Sequence, residues 1–372
     1  MLWRDRLIRW PVCLGMLLTT PVLIFYVVAN HLGASAWEQA QAEAQSQGVQ
    51  LHYQDFIAPP VPDEENFQKS EAFVRLKNSI DDDDTPSALA FYEDNFGPTQ
   101  FNYRIRRSPD FTSTLNPDGN AADNSSKKPA RLILEKFKEG ERLFAELYVA
   151  SQLPHSQINI VAQVPPNKIL WFEFDLSSLG GLANLKLARA LALQSLALLS
   201  EGDSDSAMMN LHFMHRCVEA LQLEPMLVHA LLANSVQSVS ISVIWYGLHQ
   251  DVWTDAQLAT LQHSLVSFNF LDSFERAMQG ELVFSYLDDL KYRQRERYSY
   301  ETLARLIGHL RKAQWDDLKS KYYVAVPDGW FDSARVLCLK THLQLMPEII
   351  DIPNRHVYLP ASVDEFNKQI ES

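Results

Sequence analysis

Hydrophobic residues form one unbroken run near the start of the chain and, much later, a series of helix-length segments. The first run, Trp10–Ala29, carries no charged residue and has the length of about 20 apolar residues that a helix needs to cross a bilayer. Arg4, Arg6 and Arg9 precede it, and no other lysine or arginine occurs before Lys69. The pattern predicts a transmembrane helix with basic residues before it and no lysine or arginine directly after it.

This asymmetry predicts the orientation of the chain. Positively charged flanks of a span stay in the cytoplasm, so we expect residues 1–9 there. Residues 10–30 would form a single-pass signal-anchor in the cytoplasmic (inner) membrane, with the rest on the periplasmic side. The alternative is a cleaved signal peptide, because Ala34–Ala36 has a small-residue cleavage pattern. The run is long for a signal peptide, so we expect a retained anchor, but the sequence leaves cleavage open.

Three other stretches lack the pattern of a packed element. Residues 31–68 begin with polar helix formers and continue into "IAPPVPDEENF", which predicts a stalk and a proline-rich connector. Residues 97–128 are rich in Asn, Ser, Pro, Gly and Asp, and we expect a long irregular loop there. Residues 351–372 are expected to form an extended C-terminal tail.

Residues 69–350 are predicted to form one α-helical domain of stacked antiparallel helix hairpins. The stretch "LANLKLARALALQSLALL" is hydrophobic on nearly all sides and predicts a central buried helix. The stretch 226–250 has no formal charge and is a candidate second span, but its Asn, Gln and Ser residues favour packing against other helices. Only "INIVAQV" and "KILWFEFDL" resemble strands, so the predicted class is mainly α with at most a small β-hairpin.

Composition and charge narrow the classes of partner. The chain has 372 residues, of which 47% are hydrophobic, so it can bury a sizeable core. Its 46 acidic and 33 basic residues give a net charge of −13, which argues against nucleic acid, because such binding depends on clustered Lys and Arg. Three cysteines do not make a disulfide framework. We expect Cys217 and Cys338 to be buried thiols, with a bridge between them left open.

Two histidines three residues apart, His212 and His215, are the first candidates for chemistry. They would share one helix face, as metal ligands can. Phe213 and Met214 stand between them, however, and zinc proteases have a Glu directly after the first histidine. No second histidine pair or Cys-x-x-Cys completes a ligand set. We therefore expect no metal and no other cofactor, and we interpret the pair as packed or hydrogen-bonded between helices.

Acidic residues give two further candidates. Asp203 and Asp205 form a DxD pair directly after Gly202. In a nucleotide-binding fold such a pair can hold a metal, but the sequence predicts no such fold. The pair lies at the predicted start of a helix, where Ser204 or Asp205 can cap free N–H groups. We interpret it as part of a helix cap.

Glu281 falls on the apolar side of its predicted helix, and Arg189 lies in the nearly uncharged central helix. Charged groups in such places are paired or have shifted pKa values. We interpret both as buried polar crosslinks between helices; a catalytic role beside His212 or His215 is the competing hypothesis. Motifs of known enzyme classes, such as GxSxG or a P-loop, are absent, so the sequence does not predict an enzyme.

Two resemblances concern the helical region. The hairpin "ALALQSLALLSEGDSDSAMM", with Gly202 five residues before Ala207, resembles the turn of a tetratricopeptide repeat. More broadly, "PPVPDEENF", "ALALQSLALLSEGDSDSA", "IWYGLHQDVWTDAQL" and "VPDGWF" follow one another in this order. On these motifs the chain resembles a family of uncharacterised bacterial proteins with an N-terminal anchor or signal and an exported helical body. The resemblance implies a location and a fold, and it implies no activity.

These patterns lead to one leading hypothesis and two alternatives. The sequence predicts a membrane-anchored α-helical scaffold outside the cytoplasm, which binds or assembles with another protein. The first alternative is an exported hydrolase-type enzyme with a site between helices, using Glu281 with His212 or His215. The second is a binder of an apolar small ligand. The sequence does not specify the partner, the substrate or the oligomeric state.

Overall fold

The computed structural model describes residues 2–81, 129–138, 140–159, 181–288, 290–291, 294, 326–351 and 356–357. Its contacts divide the chain into two compact units. The terminal unit comprises Met1–Asp55, Pro166–Trp171 and Gln279–Ser372, and the middle unit comprises Phe56–Pro165 and Phe172–Met278.

Helices account for most of the described chain, which confirms the predicted mainly α class. They are α1 (Leu2–Ser46), α2 (Glu71–Asp81), α3 (Pro129–Lys138), α4 (Glu141–Ser151), α5 (Gly181–Ser200), α6 (Ser204–Gln222), α7 (Leu227–His249), α8 (Asp255–Ser267), α9 (Phe270–Glu281) and α10 (Asp328–Ile349). Short 3₁₀ helices cover Tyr53–Phe56, Asp63–Glu65 and Phe67–Lys69, and a π-helical segment covers Leu282–Leu287.

Strand structure within the described chain is a two-residue antiparallel ladder, in which β1 (Ile350–Asp351) pairs with β2 (His356–Val357). The predicted loop at 97–128 lies outside the described residues. So does nearly all of the predicted hairpin at 158–176, and most of the tail after 351.

The core of the middle unit is a layer of three helices, α5, α6 and α7, which pack on one another pairwise. Helix α3 packs on α5, and α4 packs on α6 and on α2. Most side chains of α5 are buried, and its two charged residues, Lys186 and Arg189, are half-buried. The prediction of a central buried helix is therefore confirmed, as is the hairpin that joins α5 to α6.

The turn between α5 and α6 depends on a glycine and an aspartate. Gly202 has φ of +85°, a left-handed conformation that favours glycine at a helix end. The cap of α6 is Asp203, whose carboxylate accepts a 3.0 Å hydrogen bond from the backbone N–H of Ser206. The prediction that Ser204 or Asp205 caps this helix was wrong by one position, because the helix begins immediately after Gly202 and Asp203. Ala207 is fully buried, so the hairpin is close at its turn.

The start of α8 is fixed by a capping box. Thr254 and Gln257 bond reciprocally, and the Gln257 amide also donates to Asp205 at 2.8 Å, which ties α8 to the start of α6. Trp253, just before the cap, donates from its indole N–H to the carbonyl of Ile244 at 3.0 Å. A Cβ at Gly247 would overlap this indole, so the glycine makes room for it.

The end of the predicted connector is a buried part of the middle unit. Phe67 is fully buried, and the side-chain amides of Gln68 and Asn184 exchange two hydrogen bonds of 3.0 and 3.1 Å. Asn66 donates to the carbonyl of Gln157 at 2.9 Å and accepts from its N–H at 2.9 Å. These bonds join the segment before α2 to α5 and to the chain after α4, so "EENF" begins the packed body.

In the terminal unit, α1 and α10 pack along each other. From residue 15 to Leu32 no side chain of α1 is buried, whereas Gly33, Ala40 and Ala44 are buried along the face that follows. Ala40 and Ala44 lie in the stretch predicted as a solvated stalk, where their burial shows a packed helix face. Before Gly33 the described part of the helix is apolar and none of its side chains is buried. From Gly33 onward the helix is amphipathic, and one face packs against protein.

Among the described residues, three helices are long and apolar enough to cross a membrane: the α1 segment Gly15–Ser46, α5 and α7. In the most apolar window of each helix, the buried share is 0% for α1, 72% for α5 and 44% for α7. The structure contains no membrane, so these figures describe packing within the chain.

Candidate functional site

The four predicted site residues are divided between the two units. His212 and His215 lie on α6 and Arg189 on α5, all in the middle unit, whereas Glu281 ends α9 and belongs to the terminal unit. The two histidines line one cavity of the middle unit.

The cavity that contains the two histidines lies between α6, α7 and α8. It measures about 50 Å³, enough for a few water molecules or one small chemical group. Its apolar wall and its polar groups are contributed by Met208, Leu211, His212, His215, Gln237, Ser240, Ile244, Thr260, Leu261, Ser264 and Leu265.

Gln237 is the most informative polar residue of this cavity. The residue is only 6% exposed, and its amide is not one of the fully enclosed side-chain groups that lack a hydrogen bond. The neighbouring Ser240 hydroxyl is bonded to the carbonyl of Val236 at 3.1 Å and contacts the sulfur of Met214. An amide on a largely apolar cavity wall can donate to, and accept from, a water or a ligand that enters the cavity, so Gln237 is the group through which this cavity would bind a polar atom.

His215 contacts a carboxylate and a hydroxyl, the partners that a catalytic triad would require. Its Nε2 lies 3.3 Å from Glu219 Oε1 and 3.5 Å from the Ser267 hydroxyl. A triad needs the acid on one ring nitrogen and the nucleophile on the other. Here both partners approach the same nitrogen, so the arrangement cannot relay a proton from Ser267 through His215 to Glu219.

The electrostatics of α6 favour an ionised glutamate and a neutral histidine. Burial opposes ionisation of Glu219, but the hydrogen bond from His215 and the charge of Arg216 outweigh it and lower its pKa. Burial, followed by the charges of Arg216 and His215, lowers the pKa of His212. His212 is therefore uncharged at neutral pH, and the ion pair of Glu219 with Arg216, together with the contact between Glu219 and His215, holds this helix face together.

The metal interpretation can be tested on geometry in the described part of the chain. There, no three side chains of His, Cys, Asp or Glu converge closely enough to hold an ion. The DxD pair is already engaged, because Asp203 caps α6 and Asp205 accepts the bond from Gln257. Among these residues, His212, His215 and the neighbouring Glu219 do not form such a group.

Glu281 is hydrogen-bonded within its own helical segment, and Arg189 lies on the central helix α5. The carboxylate of Glu281 accepts a 2.7 Å hydrogen bond from the Ser285 hydroxyl, across the first turn of the π-helical segment. Both Glu281 and Arg189 are half-buried rather than fully enclosed. Glu281 is the last residue of α9, and the π-helical segment begins directly after it.

Both cysteines discussed above are free thiols. Burial raises the pKa of Cys217 far above its ordinary value and also raises that of Cys338. The disulfide that the sequence left open is not formed, and neither thiol is activated as a nucleophile.

Sequence reasoning missed the two central polar residues of the cavity. Gln237 and Ser240 were interpreted only as evidence against a membrane span. Their spacing of three places them on one face of α7, and such a pair in an otherwise uncharged helix is a usable signal for a polar cavity. Comparison of the chain with protein-family models, curated proteins and solved structures gave no match.

Proposed function

We propose that this protein is a single-pass membrane protein whose helical body, outside the cytoplasm, is a scaffold for another protein. The anchor is the apolar part of α1, in which the described residues from 15 to 32 bury no side chain within the chain. An exposed apolar surface of this length is unfavourable in water, and the acyl chains of a bilayer would cover it.

A single span is favoured over three by the packing of the other two apolar helices. Helices α5 and α7 form the centre of the middle unit, where they contact each other and α6. Crossing a bilayer would require both to leave this core. The three N-terminal arginines support an N-terminus in the cytoplasm, and the absence of Lys and Arg until Lys69 supports export of the rest.

The observation that carries the scaffold role is an exposed apolar face on α7. Leu231, Ile241, Trp245 and Leu248 lie within an arc of about 100° on this helix and are 42–58% exposed. Ser238, within the same arc, donates its hydroxyl to the carbonyl of Asn234 at 2.8 Å. The face therefore presents apolar groups with few unmet hydrogen bonds, as the centre of a protein interface does.

The anchor is tested by alkaline carbonate extraction of membranes that contain the full chain. We expect the protein to stay in the pellet, and release into the supernatant would overturn the anchor. Protease added to spheroplasts should digest the body and spare an N-terminal epitope tag. Digestion of the tag with a protected body would overturn the orientation.

The scaffold role is tested by placing a photo-crosslinking amino acid at Trp245 and, as a matched control, at Val266. Both positions are exposed apolar sites of the middle unit, and Val266 lies on α8, away from the α7 face. A discrete crosslinked protein from position 245, absent from position 266, supports the proposal. No reproducible product, or the same products from both positions, contradicts it.

A second candidate, the binding of a small ligand, is favoured by Gln237 alone. A ligand with one hydrogen-bonding group beside an apolar part would satisfy its amide between Met208 and Leu261. Native mass spectrometry of the full chain in detergent should then show a bound mass that Gln237→Leu loses. An identical mass spectrum for both proteins, apart from the substitution itself, would exclude this candidate.

A further inference from the structure

The start of α10 is attached to α1 at the level where the uncovered apolar stretch ends. The N–H of Gly329 donates a 3.0 Å hydrogen bond to the side chain of Asn30. A Cβ at Gly33 would overlap the backbone of Gly329, and a Cβ at Gly329 would overlap the carbonyl of Ala29. The two backbones are therefore in direct contact along the turn from Ala29 to Gly33.

The next residue of α10, Trp330, extends from this contact toward the apolar stretch. Its ring lies 6.2 Å from the ring of Phe25 in an edge-to-face arrangement. Phe25 is one helical turn before Ala29, about 6 Å along the axis. The indole thus lies beside the last turn of the proposed span, where the described residues of α1 have no fully buried side chain.

At this level the two aromatic rings are exposed, whereas an ion pair on the following turns of α10 is enclosed. Trp330 is 54% exposed and Phe25 is 49% exposed. Asp332 and Arg335, on the following turns of α10, form an ion pair in which both residues are only 8% exposed. The guanidinium of Arg335 also lies 4.8 Å above the ring of Trp37. Both charges of this pair are therefore enclosed by protein, whereas the indole is exposed.

We infer that Trp330 is a membrane-interface residue, which inserts beside Phe25 into the boundary between headgroups and acyl chains of the outer leaflet. Tryptophan favours this boundary because its ring is apolar and its indole N–H can bond to headgroups or water. The inference rests on the proposed anchor and adds to it a second attachment, supplied by a residue far from the N-terminus. This contact holds the start of α10 at the bilayer surface.

The experiment uses the full chain in phosphatidylcholine vesicles, with Trp330→Phe and Trp245→Phe as matched variants. Subtracting the spectrum of each variant from that of the natural chain isolates the fluorescence of one indole among the eight tryptophans. The vesicles contain lipids brominated either near the headgroup end of the acyl chains or at their middle. Trp330→Phe keeps an aromatic ring against Phe25, and circular dichroism confirms that each variant is folded.

We expect lipids brominated near the headgroups to quench Trp330 more strongly than mid-chain bromine does, and neither to quench Trp245. Lack of quenching of Trp330 by both lipids would overturn the inference, as would protection of Trp330 by a protein partner or a second copy of the chain. Carbonate extraction of the same preparation separates the two proposals. An extracted protein means that the anchor has failed, whereas an anchored protein with an unquenched Trp330 means that only this inference has failed.

Discussion

Gly33 of α1 and Gly329 of α10 lie in direct backbone contact in the terminal unit. A Cβ on either glycine would overlap backbone atoms of the other helix. Because backbone atoms cannot move aside as a flexible side chain can, this crossing has no room for even one methyl group. The two glycines thus allow α1 and α10 to approach closely at this crossing.

We therefore expect Gly33→Ala to destabilise the packing of α1 with α10 by about 1–3 kcal/mol. This loss opposes the gain of about 1 kcal/mol that alanine normally gives in a helix. Gly15→Ala is the matched control, since nothing lies within 4 Å of its added Cβ. Thermal unfolding in detergent should show a lower midpoint for Gly33→Ala alone, and equal midpoints would show that the helices can separate without cost.

The capping box of α8 gives a second prediction, on the middle unit. Thr254→Ala removes the bond to the N–H of Gln257, and we expect a loss of about 1 kcal/mol in the free energy of unfolding. Thr260→Ala is the control, because that exposed hydroxyl only returns to the carbonyl of Ala256 in the same helix. Denaturant titration should separate the two variants, and a loss as large at Thr260 would refute the capping argument.

The buried amide pair gives a third prediction. Gln68→Leu removes two hydrogen bonds from Asn184 in a site without water access, so we expect a loss of about 1–3 kcal/mol. Gln152→Leu, at an exposed amide, should change stability by less than about 0.5 kcal/mol. Because both partners are replaced, the double variant Gln68→Leu/Asn184→Leu should cost less than the two single variants added together. Simple additivity of the two losses would show that the pair is not coupled.

Local patterns in the sequence predicted the elements that depend on neighbouring residues. The apolar run of α1, the nearly uniform hydrophobicity of α5 and the Thr254–Gln257 box each lie within one segment. These segments can be assigned as helices without knowing which distant residues they contact. The position of the α6 cap was wrong by one residue because Asp203, Ser204 and Asp205 are all good caps, and only the turn at Gly202 selects Asp203.

Contacts between distant residues were not predictable in this way. Asn30 bonds to the N–H of Gly329 across a separation of 299 residues, and no local pattern marks that meeting. The same holds for the candidate site. His212 and His215 could be placed on one face, but their cavity depends on how closely α7 and α8 approach. For Glu281 the sequence assigned a helix face, but it did not indicate that the carboxylate bonds to the Ser285 hydroxyl in the π-helical segment that follows.

The pH dependence of stability gives the last prediction, from His342 on α10. Burial lowers the pKa of its imidazole from 6.5 to about 4. Between these values the unfolded chain binds a proton that the folded chain does not, so stability falls as the pH falls. The contribution of a neutral His342 is fully present above pH 6.5 and is lost progressively toward about pH 4.

His342→Gln, which cannot be protonated in this range, should reduce the dependence of the unfolding free energy on pH between these limits. Carboxylates such as Glu219, whose pKa is also lowered, keep a slope at more acid pH in both proteins. Denaturant midpoints measured across the range provide the test, and superimposable pH profiles for the two proteins would show that His342 is not buried in neutral form.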